Sequence, residues 1–374
     1  MKMFIFLLKI KYSFPVTRHI RKIYELILQI ITRLKTGMEF DPSYLICQCL
    51  TVNQIKSLEI FRNVPKNLIL ELDNIRNIKL SIVILFRDKI ELTTTCLNSI
   101  LGQSLVGIEL QVILIDNGSS DINIGEKIAS RFFKNERIQW ILRRIDESFN
   151  FSRLNNLAVK ESEIFNPKYY LFLNNDVICN DHKTLLKVVE FRESMGESVG
   201  AVGCTLLYPT SKIQHLFLAP GIKIVAGHPL KGLTYRSDMM WFQSPRPVPA
   251  VTGAFLFLSK SQFDEVGGFD ETLAFAYQDL DICLKIQRVN PLYSNWTLSQ
   301  LVCIHHENAT RERAHSWNEV AKIYARWKKE LSQNRDFSSC FSKESEMPVL
   351  KLFSFCRMRL AKKDGKSLKT NILS

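Results

Sequence analysis

Four stretches of the chain concentrate side chains able to do chemistry. Asp116 closes Ile113-Leu114-Ile115-Asp116-Asn117-Gly118-Ser119-Ser120-Asp121. A carboxylate there can accept hydrogen bonds from a ribose or a base edge; taken alone, an Asx turn is its commoner use. Leu171-Phe172-Leu173-Asn174-Asn175-Asp176 ends an apolar run on three oxygen-bearing side chains, a set suited to Mg²⁺ or Mn²⁺ bridging a diphosphate. Tyr277-Gln278-Asp279-Leu280-Asp281-Ile282-Cys283-Leu284-Lys285 opens a helix, where the positive dipole end favours carboxylates. Capping explains one of the two; a pair among apolar neighbours points to a site where a carboxylate takes a proton from a hydroxyl. Leu301-Val302-Cys303-Ile304 then runs into His305-His306-Glu307. A single histidine is commonly structural, but in a chain with an Asn-Asn-Asp corner this triplet reads as a metal ligand. It is no zinc-protease signature, since Thr310 stands where the second His of H-E-x-x-H belongs.

The elements that position these groups follow from apolar periodicity. Lys79–Phe86, Leu110–Ile115, Ile138–Leu142 and Tyr169–Leu173 are short solid apolar runs that predict buried strands. Between them, Glu91–Leu101, Ile122–Phe133 and Ser152–Ser162 have helical spacing. Strands alternating with helices predict a parallel sheet covered on both faces, with ligands at the carboxyl ends of the strands. Thr252–Leu258 is strand-like, Glu265–Glu271 is a glycine-permitted turn, and Trp317–Leu331 predicts an amphipathic helix closing the domain.

Composition narrows the class. The 374 residues are 46% hydrophobic and 23% charged, which excludes wholesale disorder, collagen and coiled coil. No apolar run approaches the roughly 18 residues of a spanning helix, and Met1–Lys11 lacks a secretory cleavage pattern. Nine cysteines without a C-x-x-C pair, several in apolar surroundings (Cys96, Cys204, Cys283, Cys303), predict buried thiols of a cytosolic protein; the Cys47/Cys49 pair reads as structural. The net charge of +13 sits at the ends: residues 1–78 carry +6, 79–312 carry −1 and 313–374 carry +8. A nucleic-acid binder would carry that charge on its folded domain. Both arms mix basic residues with apolar ones, Ile20 to Leu34 and Leu350 to Lys369, so they could lie on an anionic membrane face or pack on the core with solvated basic faces. No G-x-x-x-x-G-K-[ST] or G-x-G-x-x-G occurs, which removes P-loop and dinucleotide readings.

Taken in order, Ser81-Ile82-Val83-Ile84 with Arg87-Asp88-Lys89, Ile115–Ser119, Phe149-Asn150-Phe151-Ser152-Arg153-Leu154-Asn155-Asn156, Phe172–Asp176, Val251-Thr252-Gly253-Ala254, Gly267-Gly268-Phe269-Asp270-Glu271, Asp279–Lys285, and His305-His306-Glu307 with Arg311 resemble the motif series of family 2 glycosyltransferases. The likeness is to the bacterial branch making O-antigen, rhamnan and related cell-surface polysaccharides, and it runs from Leu80 to Asp336. It implies a GT-A fold, α/β with a mostly parallel central sheet, in residues 79–312. Around it lie a basic helical extension (1–78) and a C-terminal helix with a basic tail (313–374).

The resemblance also implies roles. Asp88 and Asp116 would hold base and ribose, Arg153 would meet the diphosphate, and the Phe149–Asn156 segment would line the donor pocket. Asn174 and Asp176 would occupy the outer places of the D-x-D motif, with Asp176 binding a divalent cation, Mg²⁺ or Mn²⁺. Asp279 would be the catalytic base, and His305, with His306 as rival, would complete the metal site. Asn174 in place of the first Asp, Gln278 before the base, Lys285 for Arg and Leu85-Phe86 for Pro-Thr depart from the general pattern. The activity implied is inverting transfer of a sugar from a nucleotide-diphosphate donor to a saccharide acceptor, lipid-linked at the inner membrane face, by a peripheral cytoplasmic protein. A sugar nucleotidyltransferase would want a glycine-rich loop where Leu85–Lys89 has no glycine; a non-catalytic nucleotide- or glycan-binding relative is the other alternative.

Overall fold

Ile78–Phe86 (β1) is buried at seven of its nine residues, as a strand covered on both faces must be. It forms the middle of a sheet in a computed structural model that describes residues 77–223, 225–235, 237, 244–306, 317–333 and 346. The two basic arms read above, the Cys47/Cys49 pair, Glu307 and Arg311 lie outside the described residues.

The elements are β1, α1 (Ile90–Leu101), β2 (Ile108–Asp116), α2 (Ile124–Phe132), β3 (Ile138–Arg144), α3 (Phe151–Glu161), β4 (Tyr169–Leu173), β5 (Val177–Cys179), α4 (Thr184–Met195), β6 (Val199–Leu207), β7 (Ile213–His215), β8 (Ala219–Pro220), β9 (Ala226–Gly227), β10 (Arg246–Val248), β11 (Phe255–Ser259), α5 (Lys260–Glu265), α6 (Gln278–Val289), β12 (Ser294–His305) and α7 (Trp317–Gln333). The main sheet runs β10-β12-β6-β11-β4-β1-β2-β3, with β5 on β12 and β7 on β6. From β3 to β4 every pairing is parallel. Then β11 runs antiparallel to both its neighbours, and β6 and β12 lie parallel to each other. The strands and helices expected from Lys79 to Leu173 appear within two residues of their expected ends, and the α/β fold class is borne out.

The core explains the sheet's position. Ile82, Ile84, Leu97, Ile100, Val112, Leu114, Leu171, Phe255 and Phe257 are almost wholly removed from water, each contributing about 1.5–3 kcal/mol on burial. Cys96, Cys179, Cys204, Cys283 and Cys303 are free thiols buried in this interior, as their apolar surroundings predict.

Register decides what meets at the carboxyl ends. Phe86, the last residue of β1, pairs Asp116. Leu173, the last of β4, pairs Phe255, the first of β11. His305, the last of β12, pairs Val177, the first of β5. Residues far apart in the chain are thereby held within one or two positions of each other.

Candidate active site

The first corner lies at the ends of β1, β2 and β3. Asp116 is 3% exposed. Its Oδ1 accepts from the Ser119 amide (2.9 Å) and hydroxyl (2.5 Å), which is the Asx turn. Its Oδ2 accepts from Arg144 Nη1 at 3.0 Å, and β2–β3 register places Asp116 opposite Arg144. Asp88 sits in the left-handed region (φ 54°). It exchanges hydrogen bonds with the same turn: its amide donates to Ser119 Oγ (2.8 Å) and its Oδ1 accepts from the Ser120 amide (2.7 Å). Asp88 and Asp116 therefore share one turn.

The second corner joins β4, β5 and β12. His305 Nε2 stands 3.0 Å from Asp176 Oδ1, with both side chains over nine-tenths buried. His305 Nδ1 is 2.6 Å from Gln214 Oε1. An amide oxygen only accepts, so Nδ1 carries a ring proton, and Nε2 is the nitrogen turned to Asp176. Two electron-rich atoms at that distance call for a proton or a cation between them. Asn174 Nδ2 is a further 3.4 Å from Nε2. Of His306 it is the backbone amide that reaches Asp176, donating to its carbonyl at 3.1 Å.

Asp279 stands at the first turn of α6. Its Oδ2 accepts from the Gly253 amide at 3.0 Å and its Oδ1 from the Leu280 amide at 2.8 Å. Burial raises its pKa against these hydrogen bonds, which suits a general base working near neutral pH. A Cβ on Gly253 would stand 3.1 Å from Phe151 Cζ and 3.6 Å from Asp279 Cβ, so only glycine allows this approach without displacing its neighbours. Tyr277, before the helix, holds φ 66°; a non-glycine residue there stores about 1–2 kcal/mol.

The corners connect through the backbone. The Asn174 amide donates to Ala254 O at 3.0 Å, and Ala254 follows the glycine that holds Asp279. The Thr252 amide donates to His215 Nε2 at 3.3 Å, and His215 follows Gln214, the partner of His305. Burial and the neighbouring His228 and Lys231 push the His215 pKa well below its usual value, so the ring is a neutral acceptor here.

Arg153 is engaged by Glu147 (2.7 Å) and Glu271 (3.6 Å). Its segment fastens α3 to the turn before α6. Asn150 caps α3 through the Arg153 amide and donates to Glu271 O; Ser152 Oγ donates to Leu273 O; Asn156 bonds Phe269 at both its amide and its carbonyl. Gly268, left-handed at φ 69°, lets Asn156 approach.

Periodicity missed Arg144, Gln214, His215 and the α7 residues Glu319 and Arg326. Arg144 had a legible signal, a charge ending a strand beside one that ends in Asp. Gln214 and His215 lie on a three-residue strand whose place depends on β6.

Among the described residues no group of three or more His, Cys, Asp or Glu could hold a metal ion. Asp176 and His305 nonetheless fit a divalent cation as two protein ligands, with substrate phosphates and water in the other positions, a common arrangement for Mg²⁺. The Gln214 bond orients the imidazole as a ligand's outer partner does. No described helix is long and apolar enough to cross a membrane.

No family model matches the chain. It is 32% identical over 260 residues, 66% of its length and 27% of the relative's, to an uncharacterized protein, y4gI, of Sinorhizobium fredii. It is 30% identical over 241 residues, 62% of its length, to the O-antigen biosynthesis protein RfbC of Myxococcus xanthus, of which the match covers 18%. The chain thus spans about a quarter or less of these curated relatives. Among solved structures, GalNAc-T7 with UDP, GalNAc and Mn²⁺ aligns at a TM-score of 0.53 and 12% identity, over 78% of this chain and 55% of that one. The chain accordingly has the GT-A glycosyltransferase fold that its motif series implies, and shares sequence with a protein of O-antigen biosynthesis.

Proposed function

We propose that the chain is an inverting glycosyltransferase that moves a sugar from a nucleotide-diphosphate donor to a saccharide acceptor in cell-surface polysaccharide synthesis. The observation that carries the reading is the meeting of Asp176 and His305 at 3.0 Å, joined through Asn174, Ala254 and Gly253 to a half-buried carboxylate, Asp279. Carboxylate and imidazole suit a divalent cation; Asp176 and His305 would hold it, and it would offset the charge gathering on a departing diphosphate. Asp88 and Asp116, on their shared turn, take the nucleoside end. Asp279 accepts the proton of the acceptor hydroxyl as that oxygen attacks the anomeric carbon from the face opposite the diphosphate. The Gly253 and Leu280 amides aim its carboxylate and stabilise it once charged. A lipid-linked acceptor at the inner membrane face would give the basic arms a partner.

The test is a panel of UDP-, dTDP- and GDP-sugars in thermal shift with Mn²⁺, followed by transfer or hydrolysis assays on the binders. Cation-dependent stabilisation by one nucleotide series is expected. No stabilisation by any of them would end the reading.

A further inference from the structure

An aromatic pair, Phe275 four residues before Asp279 and Phe149 just before α3, takes no part in the proton transfer above. The Phe275 side chain is 40% exposed, and its ring centroid lies 6.0 Å from that of Phe149, tilted at 38°. An exposed phenylalanine on a surface loop is ordinarily mobile; this one rides on a backbone fastened from two helices, α3 and α7. The Ala274 and Phe275 amides both donate to Glu319 Oε1 of α7, at 2.6 and 3.0 Å. The Ala274 carbonyl accepts from the Phe151 amide at 2.9 Å, and the Leu273 carbonyl from Ser152 Oγ at 2.6 Å. Lys322 Nζ of α7 reaches Thr272 O. Glu319 is itself 4% exposed, and burying a carboxylate to hold two peptide groups is costly unless the loop must stay in place. An aromatic surface held rigid loses little entropy when a ligand lies on it.

Its place in the chain sets what could lie there. Phe275 precedes Asp279 by four residues, and the Phe151 ring, two residues from Phe149, touches Gly253, which holds Asp279. Charged groups that pair with one another, Glu147, Arg153 and Glu271, stand on the same segments. A flat apolar face with carboxylates and a guanidinium nearby matches a pyranose ring, which offers C–H groups on its face and hydroxyls around its edge.

Resting on the sugar-transfer reading, we propose that Phe275, with Phe149, is the platform on which a pyranose ring of the acceptor lies, so that one hydroxyl is presented to Asp279. The stacking selects a saccharide acceptor over a simple alcohol, and the fixed loop sets the distance from ring to base.

The test uses the full chain and three probes, methyl α-D-mannopyranoside, methyl β-D-glucopyranoside and methyl α-L-rhamnopyranoside, followed by saturation-transfer difference NMR with UDP, dTDP or GDP and Mg²⁺ present. At least one probe is expected to bind, with saturation strongest on the C–H groups of one ring face. Phe275→Ala should weaken that binding about fivefold, the size of one aromatic contact. Phe275→Trp should retain it, and nucleotide affinity should be equal in all three proteins. Binding unchanged in Phe275→Ala, or no probe bound while a nucleotide binds, overturns the platform and leaves the sugar-transfer reading standing. A loss of nucleotide affinity in Phe275→Ala also overturns it, since the rings would then serve the nucleobase. Failure of every nucleoside diphosphate to bind removes the sugar-transfer reading and the platform together.

Discussion

The first turn of α6 sends two carboxylates into two different surroundings. Asp279 points to the Gly253 loop, where it meets backbone amides and the Thr252 side chain but no opposite charge, and burial raises its pKa. Asp281, two residues on and 1% exposed, points to α7 and meets Arg326 (2.7 Å), the Trp327 indole N–H (2.8 Å) and Lys285 (3.0 Å). Neutral dipoles orient a carboxylate, whereas the charged partners around Asp281 also anchor it to two helices. Asp279 has the surroundings of a reacting group and Asp281 those of a structural one. Arg326 extends the structural side, because its other nitrogen binds Asp270 at 2.6 Å in the turn that leads to Phe275 and α6.

That contrast can be broken by exchange of the two roles. Asp279→Asn should lower transfer by about 10²–10⁴-fold with little change in melting temperature or nucleotide affinity. Full transfer by this variant would strip Asp279 of its role. The base must be deprotonated to act, so its raised pKa should put the acid limb of the pH–rate profile above the ordinary carboxylate range. That is read by assaying transfer against pH in the wild type.

Arg326→Ala should act on the other side, costing about 3–5 kcal/mol of stability because it leaves Asp281 a buried charge short of a partner. Denaturant unfolding measures it, and a loss below 1 kcal/mol would mean that Asp281 is not held by this pairing.

Smaller effects sharpen the picture. Gln214→Leu removes the acceptor that holds His305 Nδ1 and should weaken Mn²⁺ binding about 10- to 100-fold, followed by the cation dependence of thermal shift. Asp270 is subject to burial, which raises its pKa, but the Arg326 and Thr272 hydrogen bonds prevail and hold it at about 2. With an unfolded value of 3.8, the group's stabilisation is present above the unfolded pKa and is lost as pH falls through about 4 to 2. The loss is of the order of 2 kcal/mol. Acid titration of Asp270→Asn, compared with wild type, should show that part of the transition missing.

Much of the parallel half was legible because its physics is local. Runs such as Ile82–Phe86 and Val112–Ile115 are apolar throughout and end abruptly on Arg87-Asp88 and on Asp116, so strand, end and polar corner are written in consecutive residues. The reversal at β11 was not legible. Phe255–Ser259 is as apolar as a parallel strand, and direction depends on what it pairs with. Asp116 shows the limit at a single residue: its turn with Ser119 follows from the sequence, while Arg144 on its other oxygen follows from the β2–β3 register.

Residue type and order determined which groups are available: a carboxylate after β2, Asn-Asn-Asp after β4, two carboxylates opening α6 and two histidines ending β12. Tertiary structure alone decided what surrounds each of them. Pairing of His305 with Val177 brings its imidazole to Asp176. Packing of α7 against α6 neutralises Asp281 and leaves Asp279 with amides. The reason is that a side chain's reactivity depends on its neighbours' charge and on its access to water, and those neighbours come from other strands and helices, from 26 residues away for Gly253 and Asp279 to 45 for Arg326 and Asp281 and 91 for Gln214 and His305.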